Sequence, residues 1–387
     1  MRILIYTIFY PAPPEMHTRQ DTLVVHYFAK ALQRKGHRVQ VVHMNCDNLP
    51  ALFKNRFQGV IPKVADYEYD GVPVHLIRIT TLTPFQGDPQ RFQAALINRD
   101  LRALKRRLGW KPDKVFVHFP TLFTGIDEIF ADGAPVLGDF HNIDIRILNK
   151  RYLTKRHNQT IADFIRRLDH WGYRNLRVQA GLRAIQDRAM VRTLSGIDDF
   201  VLASPGFIRE KAARQREEAR IVYVGQLIPL KHVDVLIEAV KRLSFPWELT
   251  VVGDGPERGR LEALAGNSPH VRFTGRLPRE EAMARMEEAD VFVMLSRPET
   301  YGLVYLEAMA RGCVTVASRG EGFDGLIDDG ENGFLAEPES VDAAVAVLER
   351  VHALTAEQRR AMIQKGYDLA RSMTEDQTAQ KFLDDNT

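Results

Sequence analysis

The chain has 387 residues, 45% apolar and 27% charged, the balance of a soluble globular protein of about two domains. No stretch approaches the roughly 18 apolar residues that a membrane-spanning helix requires, which excludes that class. Net charge is only +3, but residues 1–205 sum to +11 and the remainder to −8. A basic first half fits nucleic acid, an anionic lipid surface, a phosphorylated substrate or simply a solvated helix face. No nucleic-acid-binding motif accompanies the charge, so nucleic acid is set aside.

The opening "MRILIYTIFYPAPP" carries one basic residue and a β-like run, so it reads as a first buried strand rather than a cleavable leader. Further β-rich runs follow at 38–44, 72–79, 114–119, 135–140 and 199–203, separated by helix-length amphipathic stretches. A second series lies at 220–225, 247–253, 270–275, 290–295 and 313–318. Alternation of this kind predicts α/β layers with parallel sheets, and runs without polar alternation predict sheets covered on both faces. Between the series, "SPGFIREKAARQREEAR" (204–220) reads as a Pro-Gly turn and a charged helix, and the charge bias changes sign there. The boundary is therefore placed between a domain at 1–205 and a second at 206–370. A C-terminal helix at 371–387 is expected to pack back on the first domain. Two facing doubly wound domains bind ligands in the cleft at the carboxyl ends of their strands.

The two cysteines, Cys46 and Cys313, fall one in each half, the usage of a reducing compartment, so a cytoplasmic location is expected. There is no G-x-x-x-x-G-K-[ST] loop, no G-x-S-x-G elbow, no H-E-x-x-H, no paired C-x-x-C and no Asp-x-Asp triplet. No metal and no cofactor are therefore expected. "VVGDGPERG" (251–259) lacks the third glycine of a dinucleotide fingerprint and reads as a turn, with Pro256 starting the next helix.

"SRPETYGLVYLEAMARG" (296–312) sets Glu299 and Glu307 eight positions apart, astride Gly302. The ordinary alternative is a pair of exposed surface carboxylates. A helix entered near Gly302 and stopped by Gly312 would instead point free N–H groups and a positive dipole end at a ligand. Glu299 would sit in the loop and Glu307 about a turn into the helix, spanning at most about 12 Å. That interval suits a ligand with hydroxyls at two ends and phosphates between them.

This segment, with "DGENGFLAEP" (329–338) and "VYVGQLIPLKHVDVLIEAV" (222–240), resembles the donor domain of family 4 retaining glycosyltransferases of the GT-B fold. "FAKALQRKGHRVQVV" (28–42) and "KPDKVFVHFP" (111–120) resemble the first domain more weakly. The resemblance implies two facing Rossmann-like domains with a central cleft, and a nucleoside-diphosphate sugar, UDP- or GDP-linked, as donor. It puts Glu299 on the sugar hydroxyls and Glu307 on the ribose. Lys231 and the amides of Gly302, Leu303 and Val304 would face the diphosphate or sugar. Gly225, Gln226, Gly253, Arg276, Leu277 and Tyr301 complete the implied donor set. Family members often have arginine where Gln226 stands, which leaves Arg276, Arg297 or Arg319 to compensate, and many have Pro-Glu in place of Asp324-Gly325.

In the first half the resemblance puts a catalytic histidine at His141, beside Asn142; His118, which also follows a strand, would line the acceptor side or pack. The loop after the first strand replaces a usual Gly-Gly by Glu15, Met16 and His17, so His17 or Arg19 would reach the acceptor, with Glu15 beside them. The implied reaction moves a hexose-type sugar to an acceptor hydroxyl without metal and with the anomeric configuration kept, Glu299, His141 and Lys231 carrying it. A saccharide or lipid-linked acceptor is expected, in polysaccharide, glycolipid or glycoconjugate assembly at the cytoplasmic membrane face. The alternatives are a non-catalytic sugar-nucleotide-binding protein or an epimerase of the same fold.

Overall fold

A computed structural model of the chain describes residues 1–13, 23–48, 64–81, 91–123, 129–141, 144–145, 162–214, 217–266 and 268–384. They divide into two compact units. The first takes in Met1–Arg174, Val178–Leu194 and Thr378–Thr387; the second takes in Asn175–Arg177 and Ser195–Gln377.

The sheet of the first unit is built from β1 (Arg2–Thr7), β2 (Arg38–Asn48), β3 (Val64–Tyr69), β4 (Val72–Thr81), β5 (Lys114–His118), β6 (Val136–Phe140), β7 (His170–Tyr173) and β8 (Met190–Arg192). Their order is β3-β4-β2-β1-β5-β6-β7-β8. Successive side chains of β1 go to opposite faces, and both faces are buried. Ile3 and Ile5 enter one apolar cluster, with Val25, Ala29 and Leu32 of α1 (Val24–Arg34). Leu4 and Tyr6 enter the other, with Ile97, Leu101 and Leu104 of α2 (Arg91–Leu108) and Val178 and Leu182 of α3 (Leu176–Arg183). A strand sandwiched in this way has no use for polar alternation, which is why β1 reads as a continuous apolar run.

Two expectations need correction here. All neighbours in this sheet are parallel except β3, which pairs antiparallel with β4 through Asp70 and Gly71, both at positive φ. Asp-Gly is the residue pair that such a two-residue hairpin selects. The run at 199–203 is not a strand. Asp198 accepts from Phe200 N and starts a 3₁₀ turn over Asp199–Val201, leaving Phe200 49% exposed. The strands that precede the second unit are β7 and β8 instead.

The second unit has a fully parallel sheet, β11-β10-β9-β12-β13-β14. Its strands are β9 (Ala219–Val224), β10 (Trp247–Val252), β11 (Val271–Gly275), β12 (Val291–Val293), β13 (Val314–Ser318) and β14 (Phe334–Ala336). Helices α4 (Pro205–Ala213), α5 (Val233–Val240), α6 (Arg258–Ala265), α7 (Arg279–Glu288), α8 (Leu303–Ala310), α9 (Val341–His352) and α10 (Ala356–Ser372) surround it. Pro205 and Gly206 lie inside the first turn of α4 behind a Ser204 cap, not in a turn ahead of it. Ser340 caps α9, and Thr355 with Gln358 makes a reciprocal capping box on α10. Helix α11 (Glu375–Asp384) runs from the second unit into the first, where Ala379, Phe382 and Leu383 join the cluster around Ile3 and Ile5. The buried Lys114 ammonium donates to the Leu383 carbonyl at 2.7 Å, at the end of that helix where a cation is favoured.

Glycines end β9, β10 and β11, and at one of them packing by itself requires glycine. Gly253 has φ +142°, and a Cβ there would fall 1.8 Å from the Gly225 carbonyl oxygen. Gly253→Ala is expected to cost about 2–4 kcal/mol through overpacking and backbone strain, read as a lower denaturant midpoint for the second unit.

Candidate functional site

In the second unit, β12 stops at Val293 and the chain takes nine residues, 294–302, to reach α8. Gly302, the residue before the helix, has φ +81°, and a Cβ on it would meet the Tyr305 ring at 2.4 Å. The loop is pinned by Arg297 N donating to Leu230 O at 2.8 Å and by Tyr305 Oη donating to Met294 O at 2.8 Å. It therefore lies beside the 3₁₀ turn Pro229–Lys231 that follows β9.

That arrangement brings together two residues singled out in the sequence. Lys231 Nζ donates to Glu299 Oε2 at 2.7 Å, and the buried Ser296 hydroxyl donates to the same oxygen at 2.9 Å. The other carboxylate oxygen accepts from Thr300 N at 3.1 Å. Both side chains of the ion pair are mostly buried, which strengthens the attraction relative to a surface pair. Glu307, also mostly buried, accepts from Arg279 Nη2 at 2.8 Å. Each glutamate thus holds a cation of its own.

The remaining donor-set residues fall as follows. Gly225 sits on the Tyr223 hydroxyl, which donates to Gln226 O at 2.8 Å, and burial pushes that phenol far up. The Gln226 side chain is exposed. Arg276 is exposed at the end of β11, with Leu277 half-buried beside it. Tyr301 is buried and meets Phe323 edge-on at 6.2 Å. Leu303 and Val304 are half-buried in the first turn of α8. Of the three compensating arginines, Arg319 lies near Asp329 and Glu337, whereas Arg297 is tied by its backbone beside Lys231.

In the first unit, His118 and His141 end β5 and follow β6, with ring centroids 4.6 Å apart. Both surround a residue the sequence reading passed over, the fully buried Asp139. Asp139 accepts from Arg174 Nε at 2.9 and 3.0 Å, from the Thr193 hydroxyl and from His141 Nε2 at 3.1 Å. His118 Nδ1 lies 3.0 Å from the Thr7 hydroxyl. Burial alone would raise the Asp139 carboxyl; the Arg174 charge and the hydrogen bond from His141 outweigh it and hold it well below the usual range. Burial pushes both imidazoles down, so they are neutral, and His141 then donates through Nε2. The backbone N of His141 is held by Asp144, which also accepts from Thr121, and burial pushes the Asp144 carboxyl up to about 7.

His118, Asp139 and His141 offer ligand atoms within 4.8 Å of one another, a spacing a metal ion could use. The Arg174 guanidinium, however, already covers both Asp139 oxygens and puts a positive charge against any second cation. The cluster is a charge-compensated hydrogen-bond network rather than an open ligand set. Glu15, His17, Arg19 and Asn142 lie outside the described residues.

Sequence reading missed Ser296, Arg279, Asp139 and Arg174. Asp139 carried a signal, since an ionisable residue inside "PVLGDF" needs a buried partner. Arg279, twenty-eight positions from Glu307, carried none.

Residues 206–369 match the family described as Glycosyl transferases group 1, and residues 22–179 match Glycosyltransferase Family 4. An uncharacterized glycosyltransferase of Methanocaldococcus jannaschii is 30% identical over 156 residues, 40% of this chain and 43% of that one. The GDP-mannose-dependent alpha-(1-6)-phosphatidylinositol monomannoside mannosyltransferase of Mycolicibacterium smegmatis is 36% identical over 154 residues, 36% of this chain and 40% of that one. The chain thus spans less than half the length of either curated relative. Among solved structures, sucrose-phosphate synthase from Thermosynechococcus elongatus superposes with a TM-score of 0.68 at 17% identity, over 99% of this chain and 97% of that one. At that identity the likeness speaks to the fold alone.

The two buried histidines make a measurable prediction. Their folded-state pKa values lie below the ordinary 6.5, so the stability they contribute is full above that pH and is lost as pH falls below it. Imidazole NMR signals of His118 are expected to stay in the neutral form at pH 6, and His141 is expected to titrate below the ordinary histidine value; a protonated His118 at pH 6, or a His141 midpoint above the ordinary value, would contradict the network.

Proposed function

The chain belongs to the family 4 glycosyltransferases of the GT-B fold, and from that premise we propose that it transfers a hexose-type sugar from a nucleoside diphosphate, UDP or GDP, to an acceptor hydroxyl, with the anomeric configuration kept. The observation that carries this reading is the Lys231–Glu299 pair, held beside the start of α8. A carboxylate that already accepts from an ammonium and a hydroxyl is fixed in place and suits the hydroxyls of a sugar. The ammonium beside it, with the N–H groups opening α8, suits the diphosphate that leaves. Glu307, held by Arg279 in the next turn, suits the ribose.

In the proposed step the bond from the anomeric carbon to the diphosphate oxygen breaks and the acceptor oxygen bonds to that carbon from the same face. The acceptor proton passes to the departing phosphate. Lys231 and the helix N–H groups carry the charge of the leaving group, so no metal is needed in this reading. His141, neutral and steered by Asp139, supplies a hydrogen-bonding nitrogen in the first unit. As positive charge for the diphosphate, Arg297 is the candidate best placed to offset Gln226, since its backbone is tied to Leu230.

The acceptor is proposed to be lipid-linked. In α2, Arg99, Arg102 and Arg106 are exposed at helical spacing opposite the buried Ile97, Leu101 and Leu104, with Arg107 and Lys111 nearby. Such a face suits an anionic lipid surface, and the mycolicibacterial relative's name gives a phosphatidylinositol glycolipid as acceptor. Among the described residues no helix is long and apolar enough to cross a membrane. The basic face of α2 supports our proposal of a cytoplasmic location at the membrane face.

Two experiments test these proposals. With a panel of nucleoside-diphosphate sugars, Glu299→Gln is expected to lower nucleotide release about 100-fold or more with the fold intact, and Glu307→Ala to weaken chiefly the affinity for the free nucleotide in calorimetric titration. Undiminished turnover in the first variant would sink the site assignment. In sedimentation with anionic vesicles, binding at low salt should fade as salt rises; no binding at low salt counts against the lipid surface.

A further inference from the structure

At residues 299 and 300 the loop that carries Glu299 is fastened by side chains rather than by backbone pairing. Glu299 N donates to Glu321 Oε2 at 2.9 Å. Asn175 Nδ2 lies 3.4 Å from Glu299 O and donates to Thr300 O at 3.1 Å. Thr300 N donates to the Glu299 carboxylate itself. All four backbone polar groups of residues 299 and 300 are thus met by side chains.

Glu321 is the centre of this arrangement. It is 2% exposed, and its second carboxylate oxygen accepts from Arg177 Nη2, with Arg297 Nε 3.8 Å away. A carboxylate buried to that degree needs a charged partner, and Arg177, 43% exposed, supplies it from the solvent side. Next to Glu321, a Cβ on Gly322 would lie 2.6–2.7 Å from the backbone N, Cα and O of Tyr301. The turn holding Glu321 is therefore flush against the loop, and neither can shift without the other. Arg177 and Asn175 come from the short stretch Asn175–Arg177 that groups with the second unit despite its place in the sequence.

We propose that Glu321 and Arg177 are positioning residues for donor-sugar binding, setting the backbone at residues 299–300 and through it the aim of the Glu299 carboxylate. This role rests on the reading of Glu299 as the sugar-binding carboxylate. Glutamine at 321 would keep an acceptor for Glu299 N but turn an NH₂ toward Arg177, setting donor against donor. Aspartate, one methylene shorter, could not reach both partners. Glu307 and Arg279 lie on separate anchors, so the nucleotide half of the site is expected to be indifferent.

The test uses the full chain carrying Glu321→Gln, with Arg177→Met as a second variant at the more exposed partner and Arg177→Lys as the conservative one. Glu321→Gln and Arg177→Met are expected to lower kcat for the donor roughly 10- to 100-fold. The Kd of the matching free nucleoside diphosphate should stay within about twofold, since the contacts it uses are unchanged. Arg177→Lys should recover part of the loss. Hydrogen exchange at the amides of 299–301 should quicken in the first two variants while the core strands keep their protection. Unchanged kcat, or unchanged exchange at those amides, overturns the proposal. So does a fall in kcat matched by an equal loss of nucleotide affinity and a lower Tm, which marks a purely structural brace. A wild-type chain that releases nucleotide from no donor sinks the transfer reading, and this role with it, whatever the loop amides do.

Discussion

In the proposed reading, most of what the second unit offers depends on holding one carboxylate still in a stretch without regular structure. Glu299 sits six residues past the end of β12 and four before the start of α8, where no ladder or helix fixes it. The fold substitutes a set of side chains drawn from distant places: Lys231 after β9, Ser296 within the loop, Glu321 after β13 and Asn175 from the stretch before α3. Each alone is a modest hydrogen bond. Together they leave the loop few alternatives, because moving it would leave several buried polar groups unmatched at once.

The first unit solves a related problem by the opposite means. Asp139 lies in the body of a parallel sheet, where an unpaired charge would be prohibitive, and Arg174 reaches it with two nitrogens. That carboxylate then orders the imidazole of His141 and approaches His118 at 3.8 Å. Here rigidity comes from one saturated ion pair on regular elements, not from many weak ties on a loop. The cost of the device is that neither ring can take a proton without disturbing the pair.

The strands were readable because both faces of each sheet are buried, so unbroken apolar runs mark β1 at Ile3–Tyr6, β9 at Ile221–Val224 and β12 at Val291–Val293. Where that condition fails, the reading failed too. β3, "VADYEY", is an edge strand of mixed polarity, and β7, "HWGY", and β8, "MVR", are too short to show a period. The segment at 199–203 is apolar enough for a strand, but Asp198 caps a turn there. In the proposed site, Glu299 and Glu307 were visible through local spacing, and Lys231 through the family resemblance of its segment. Arg279, Glu321 and Arg177 were not, because what joins them to the glutamates is the crossing of loops far apart in the chain. Gly253 was visible as a glycine, but its reason, the Gly225 carbonyl against it, belongs to the packing of two strand ends.

Helix α11 gives the chain an order of assembly. The apolar face formed by Ile3, Ile5, Val39 and Phe116 is completed by Phe382 and Leu383, and Lys114 finds its acceptor on Leu383. Nearly the whole polypeptide separates these partners. During synthesis the second unit, almost one continuous stretch, can close as soon as it emerges, whereas the first waits with that face uncovered until residues 378–384 follow it. The first unit is thus completed only after the second has been made, and its exposed interval lengthens with every pause of the ribosome along the second unit.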